Sequence, residues 1–138
     1  MKSILLLTLL SLTSCGLNQP RTAKNKQIIA DFEQKHQLIL VPKITSFHFQ
    51  GWQSLDNDHL IISTLRGQSY LLSLHSYCYD LKYSNQIFIK RRVSSVLDTN
   101  FDSIIVPNDP GAYCYIDKIQ SINAKQIDEL SALVKHTP

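Results

Sequence analysis

Residues 59–76, HLIISTLRGQSYLLSLHS, decide the fold class because two β-rich runs stand on either side of Arg66 and Gly67. Every second position in each run belongs to one face, which is the periodicity of a strand. These positions are Leu60, Ile62 and Thr64 in the first run and Tyr70, Leu72 and Leu74 in the second. Gly67 can adopt the positive φ that a tight turn requires. The segment therefore predicts a β-hairpin.

Further strand candidates lie on both sides of this hairpin. Ile44, Phe47 and Phe49 precede it. The segments that follow it are NQIFIKRR at 85–92, FDSIIVPN at 101–108 and AYCYIDKIQSI at 112–122. Successive short strands joined by turns favour antiparallel pairing, because parallel pairing needs crossovers of about a dozen residues or more.

Two segments favour helices. Residues 27–36 mix apolar side chains with charged residues that form helices well. Near the C-terminus, Asn123 and Gln126 have the spacing of a capping box, and four apolar residues follow on one face, namely Ile127, Leu130, Leu133 and Val134. The predicted fold class is mainly β (α+β): a small antiparallel sheet or curled, barrel-like domain of five or six strands with a short helix at each end.

The first residues, MKSILLLTLLSLTSCG, have the layout of a secretory signal peptide. Lys2 is a short positive region, residues 4–12 are an apolar core, and small residues follow. A membrane-spanning helix needs about 20 apolar residues, and this run has roughly half that number. We therefore expect export rather than a spanning segment.

The end of this segment resembles the lipobox of bacterial lipoproteins, carried here by Leu12, Thr13, Ser14 and Cys15. The resemblance implies that Cys15 becomes the acylated first residue of the mature chain, with palmitate among its acyl groups. It divides the chain into a signal peptide at 1–14, a tether at 15–26 and one β-rich domain at 27–138. Gly16 stands where lipoproteins retained in the inner membrane carry Asp, which favours the periplasmic side of the outer membrane.

Two cysteines, Cys78 and Cys114, remain after Cys15. In an exported protein an even pair predicts a disulfide, because the compartment is oxidising. The bond would close a loop of about 37 residues and contribute roughly 4 kcal/mol on the chain-entropy estimate. A metal site is the alternative, but no His stands at ligand spacing from either cysteine. We predict neither a metal nor a cofactor.

The charge balance argues against nucleic acid as a partner. The chain of 138 residues carries a formal charge of +3, of which Lys2 belongs to the signal peptide. The basic run at 90–92 ends a candidate strand, where such charges usually form a solvated edge that discourages strand addition. The length is that of one domain.

A set of short motifs resembles a family of small proteobacterial envelope proteins of unknown function. The matching stretches are 44–47, 70–74, Cys78 with Leu81, 87–89, 102–106, and Cys114 with Ile116 and Ile119. Members of that family often carry additional cysteines, which this chain lacks, so the resemblance implies a bond between Cys78 and Cys114. It implies no activity.

Two constellations could carry chemistry. The string at 98–109 places Asp98, Asn100, Asp102 and Asp109 at calcium-loop spacing, but it lacks the Gly and the Glu that an EF-hand loop uses at its sixth and twelfth positions. A hydrolase reading of Ser73, His75 and Asp80 lacks a nucleophile elbow. The simpler interpretation of the string at 98–109 is a polar turn that leads into a strand. The simpler interpretation of Ser73 and His75 is that they are ordinary positions of a strand and its end.

Tyrosines flank both predicted disulfide partners, and an exposed cluster of them can form a binding face. The candidates are Tyr70, Tyr79, Tyr113 and Tyr115. We favour a non-enzymatic binding module that is attached to the membrane through acylated Cys15 and binds an envelope protein or ligand. The alternative is a hydrolase that acts on envelope material.

Overall fold

The computed structural model describes residues 21–136, and these form two helices and eight short strands. Helix α1 is Arg21–His36 and helix α2 is Ala124–Lys135. The strands are β1 (Lys43–Thr45), β2 (Phe49–Ser54), β3 (His59–Thr64), β4 (Ser69–Leu74), β5 (Phe88–Lys90), β6 (Val96–Asp98), β7 (Ser103–Ile105) and β8 (Cys114–Ile122). A 3₁₀ turn at Leu81–Tyr83 lies between β4 and β5.

Six strands form one antiparallel sheet in the order β2-β3-β4-β8-β7-β5, which curls into a half-barrel. Strand β8 is the longest and pairs with β4 along one part and with β7 near its start. Strands β1 and β6 form a separate antiparallel pair. The predicted fold class is confirmed, with six strands in the main sheet and a helix near each end of the described chain.

The predicted hairpin is the centre of this sheet. Strands β3 and β4 pair from His59 opposite Ser73 to Ser63 opposite Ser69. Gly67 in the turn has φ 73°, the left-handed conformation that glycine adopts without a steric penalty.

Two hydrophobic cores lie on opposite faces of the sheet. The main core fills the inside of the curl and includes Leu60, Leu72 and Ile116. The second core lies under the helices, where Ile61, Leu71 and Ile122 of the sheet pack with buried residues of α1 and α2. The helix residues are Ile29, Phe32, Leu130 and Val134. Side chains alternate between the faces of a strand, so neighbouring residues such as Leu60 and Ile61 serve different cores.

The helix boundaries differ partly from the prediction. Helix α1 begins at Arg21, so residues 21–26 of the expected tether are helical. Asn25 in this first part is buried, and Lys26 forms an ion pair with Asp58, which gives the early turns tertiary support that composition does not reveal.

Helix α2 begins as predicted with a capping box. The Asn123 side chain accepts a hydrogen bond from the Gln126 backbone N–H at 2.9 Å, and the Gln126 side chain accepts one from Asn123 at 3.0 Å. Leu130 and Val134 are buried, whereas Leu133 is 45% exposed and is not part of the buried face. Within residues 21–136, neither helix combines the length and the apolar character needed to cross a bilayer.

Candidate functional site

Cys78 and Cys114 form the predicted disulfide, with their Cα atoms 5.6 Å apart. Both residues are buried in the main core, so the bond joins the segment after β4 to the start of β8. Cys15 lies outside the described residues, and its acylation stays a prediction.

Three of the four tyrosines expected to form a binding face are exposed. Tyr79, Tyr113 and Tyr115 are 63%, 43% and 52% exposed, respectively. Tyr70 is not part of such a face, because it is buried in the main core with its hydroxyl donating to the Gln68 side chain at 3.2 Å. Tyr70 stands on the same face of β4 as Leu72, and that face points into the curl.

Tyr113 and Tyr115 belong to a larger exposed surface, which we call the aromatic face. Strand neighbours of its members, such as Ile89, Ile104 and Cys114, point into the main core, so the alternate residues point outward. The members are Phe88 and Lys90 of β5, Ile105 of β7, Tyr113 directly before β8 and Tyr115 at its start.

The strand register brings the members of the aromatic face together. Phe88 pairs with Ile105, and Lys90 and Tyr115 both pair with Ser103 from its two sides. The rings of Tyr113 and Tyr115 lie 6.4 Å apart, and the Lys90 ammonium lies 4.2 Å from the Tyr113 ring centroid. No residue of β5 or β7 contributes to the core under the helices, so within residues 21–136 neither helix packs a core against this half of the sheet.

The basic run at 90–92 packs on aromatic rings rather than extending freely into solvent. The guanidinium of Arg91 lies 5.3 Å from the Phe47 ring and that of Arg92 lies 4.6 Å from the Phe101 ring. Arg91 also donates to the backbone oxygen of Ser94. The two ring contacts are cation–π interactions, and the spacing of charged residues in the sequence does not predict them.

The calcium-loop spacing does not produce a cation site. Asp102 is 1% exposed, and its two carboxylate oxygens accept hydrogen bonds from the backbone N–H groups of Arg92 and Asp98, each at 2.8 Å. Asp98 accepts from the Asn100 backbone N–H at 2.9 Å, which closes a polar turn. Within residues 21–136 there is no group of three or more His, Cys, Asp or Glu side chains placed to hold a metal ion.

The Ser73, His75 and Asp80 grouping is also absent. His75 is exposed and faces Asp117 at 3.6 Å, whereas Ser73 is buried. Ser73 instead pairs across the sheet with His59.

His59, the first residue of β3, follows a buried polar loop at 56–58 that sequence reasoning missed. The His59 Nδ1 atom lies 3.0 Å from Asp56 Oδ1, and Asp56 also accepts from the backbone N–H groups at positions 58 and 59, each at 2.7 Å. Asn57 joins the loop to the segment after β4, because its side chain contacts the Tyr77 hydroxyl and the Lys82 backbone N–H. Three consecutive polar residues, Asp56, Asn57 and Asp58, between two strands are the signal that could have indicated this loop.

A cleft of about 240 Å³ lies between α1 and the end of the sheet beside this loop. On its floor the register aligns His59, Ser73 and Lys118 across three strands. Lys118 pairs with Glu33 of α1 at 2.5 Å, and Lys26 pairs with Asp58 at 2.5 Å. The hydrogen bond with Asp58 raises the pKa of Lys26, although burial acts in the opposite direction. The two ion pairs connect α1 to the loop before β3 and to β8.

Comparison with known proteins gives one family. Residues 1–137 match the model of a family of unknown function, DUF6491. No curated protein and no solved structure matches the chain. Because the family model spans nearly the whole chain, the protein belongs to DUF6491, a family of unknown function.

Proposed function

We propose that the protein is a lipid-anchored, non-enzymatic module of the bacterial cell envelope that binds a partner protein through the aromatic face. The observation that carries the binding role is the exposure of Phe88, Tyr113 and Tyr115 on the part of the sheet that neither α1 nor α2 covers. Aromatic residues are enriched at protein interfaces because they bury a large area while a hydroxyl stays hydrated.

The envelope location is supported by two independent features. The layout of residues 1–14 followed by Cys15 is typical of a lipoprotein signal. The bond between Cys78 and Cys114 is of the kind that persists in oxidising compartments. Gly16 favours the periplasmic side of the outer membrane as the destination.

Acylation is tested by Cys15→Ser. We expect the wild-type chain to incorporate labelled palmitate and to fractionate with membranes, because several acyl chains anchor a protein stably. The variant should lose the label and leave the outer-membrane fraction. Palmitate-free wild-type protein would contradict the anchor, and label in the inner-membrane fraction would contradict the sorting.

Partner binding is tested by placing a photoreactive amino acid at position 115 in cells. We expect one discrete crosslinked protein that disappears when Tyr113→Thr is added. The matched control is the same photoreactive group at position 65, where Leu65 is 67% exposed on the β3–β4 turn. An equal yield of the same adduct from both positions, or none from position 115, would contradict the aromatic face as the binding surface.

A hydrolase is the second candidate, and the pairing of Asp56 with His59 opposite Ser73 favours it. An Asp that orients a His beside a Ser hydroxyl is the arrangement that activates a nucleophile. However, the Ser73 hydroxyl is buried and has no hydrogen-bond partner, so His59 does not contact it as a base would. Covalent labelling of Ser73 by a fluorophosphonate that is abolished in His59→Gln would establish the hydrolase instead.

A further inference from the structure

One end of the molecule brings segment 77–83, which carries three exposed tyrosines, close to the first turns of α1. We call it the anchor end, and it consists of segment 77–83, the first turns of α1 and the last turn of α2. Thr22 and Asn25 of α1 line one cavity together with Tyr77 and Tyr83. Lys82 lines a second cavity with the α2 residues Ser131, Val134 and Lys135, so the three elements are neighbours.

The tyrosines of the anchor end are exposed although their backbone is held firmly. Tyr77, Tyr79 and Tyr83 are 54%, 63% and 79% exposed. Cys78 between the first two is fixed by its disulfide and by its backbone N–H, which donates to Asn57 at 2.8 Å. The Tyr77 hydroxyl accepts a hydrogen bond from the Asn57 side chain at 2.8 Å, so Tyr79 and Tyr83 are the two rings that extend furthest into solvent. A rigid segment with exposed tyrosines suits a membrane interface, where the ring contacts acyl chains and the hydroxyl contacts headgroups.

The charges at this end complement anionic headgroups. Lys24 and Lys135 are exposed, and the Lys82 ammonium lies 5.7 Å from the Tyr83 ring centroid. Asp80 is the one acidic residue of segment 77–83. Basic side chains close to a bilayer are attracted to its anionic lipids.

The chain between the lipidated residue and α1 is short. Five residues separate Cys15 from Arg21, where α1 begins. Six residue steps span at most about 20 Å even when fully extended. An acyl group on Cys15 therefore keeps the start of α1 near the bilayer surface.

We infer that the anchor end rests on the bilayer in which acylated Cys15 is inserted, with Tyr79 and Tyr83 at the headgroup level. The inference rests on the proposed acylation of Cys15. The orientation leaves the opposite ends of both helices directed away from the membrane.

Lysine acetylation tests this orientation, because α1 carries the exposed Lys24 near its start, and α2 carries Lys125 near its start and Lys135 near its end. The acylated protein is inserted into vesicles of phosphatidylcholine and phosphatidylglycerol and treated with a water-soluble acetylating reagent. The reference is the same mature chain without acyl groups, carrying Cys15→Ser and exported behind a signal sequence for soluble proteins. Mass spectrometry gives the labelling rate of each lysine.

We expect the labelling of Lys24 and Lys135 to fall several-fold in the vesicle-bound protein, while Lys125 at the other end of α2 keeps its reference rate. The double variant Tyr79→Ser/Tyr83→Ser should lose this protection, whereas the matched double variant Tyr113→Ser/Tyr115→Ser should retain it. If Lys24 and Lys135 keep their reference labelling rates, as Lys125 does, in protein that carries palmitate, the docking inference alone would be overturned. Absence of palmitate would overturn the anchor together with it.

Discussion

The outer face of the main sheet has two halves that differ in burial. The covered half consists of β3, β4 and the later part of β8, which lie under the two helices, and the bare half consists of β5, β7 and the start of β8. In the covered half, Ile61, Leu71 and Ile122 lie under the two helices and are almost completely buried. In the bare half, Phe88 and Tyr115 stand at equivalent outward positions and are about half exposed. A strand can carry apolar residues on both of its faces. Whether a given face is buried depends on which other elements pack against it.

The comparison separates side chains that stabilise the fold from side chains that are available to a partner. Burial of a Leu or Ile side chain contributes roughly 1.5–3 kcal/mol, so the covered half is a major source of stability. The aromatic residues of the bare half contribute less because they remain half in water. The proposed binding role would account for their presence on the sheet.

The largest expected effect is loss of the disulfide at the boundary of the two halves, where β8 passes from β7 to β4. The double variant Cys78→Ser/Cys114→Ser should lower the free energy of unfolding by about 4 kcal/mol, since the unfolded chain regains the entropy of a loop of about 37 residues. Thermal denaturation should show a Tm lower by roughly 10 °C or more.

Thiol labelling of the denatured, non-reduced wild-type domain provides the control for that prediction. Cys78 and Cys114 should give no free thiol. An unchanged Tm in the double variant would mean that the boundary does not need the covalent link.

A loss of similar or smaller size is expected when the covered half is opened by Leu71→Ala. Leu71 is 0% exposed between the sheet and both helices. A cavity there should cost about 2–5 kcal/mol in urea denaturation. The matched variant Leu65→Ala, at an exposed turn position, should change stability by no more than about 0.5 kcal/mol. Similar losses for the two variants would show that the helices do not pack as the structure has them.

The next effect concerns Asp102, which holds the loops that enter and leave the bare half. Asp102→Asn replaces one acceptor oxygen by an NH₂ group that faces a backbone donor. The loss of stability should be roughly 1–3 kcal/mol by chemical denaturation, the cost of leaving a buried donor unpaired. Asp117→Asn is the control, because Asp117 is exposed. A neutral Asp102→Asn would show that its two hydrogen bonds do not support the loops.

The sequence predicted the fold class and the disulfide because both rest on local signals. The hairpin around Gly67, the capping box at Asn123 and the even number of cysteines are each read within a short window. The start of α1 was predicted six residues too late, because Asn25 and Lys26 are held by partners distant in sequence. The pair β1–β6 was not predicted, since its strands have three residues each and lie 50 residues apart.

The candidate site was predictable only in part. Tyr113 and Tyr115 are predicted by their positions beside a cysteine. Tyr79 is exposed as predicted but lies in segment 77–83 and is not part of the aromatic face. Tyr70 is misassigned because alternation alone does not tell which face of a strand is inside. Phe88 and Ile105 join the face through strand register, which single-sequence patterns leave undetermined. The pairing of His59 with Ser73 depends on the same register.

The smallest expected effect tests the central claim most directly: the aromatic face is a surface for a partner and not a requirement of the fold. The variant Tyr113→Thr/Tyr115→Thr keeps strand-forming residues in place and removes both rings. Urea denaturation should show a loss of roughly 1–2 kcal/mol, because each ring is about half in water in the folded protein and Thr retains part of its packing. A loss of about 3 kcal/mol or more, comparable with that of Leu71→Ala, would contradict the claim and place these tyrosines among the residues that hold the domain together.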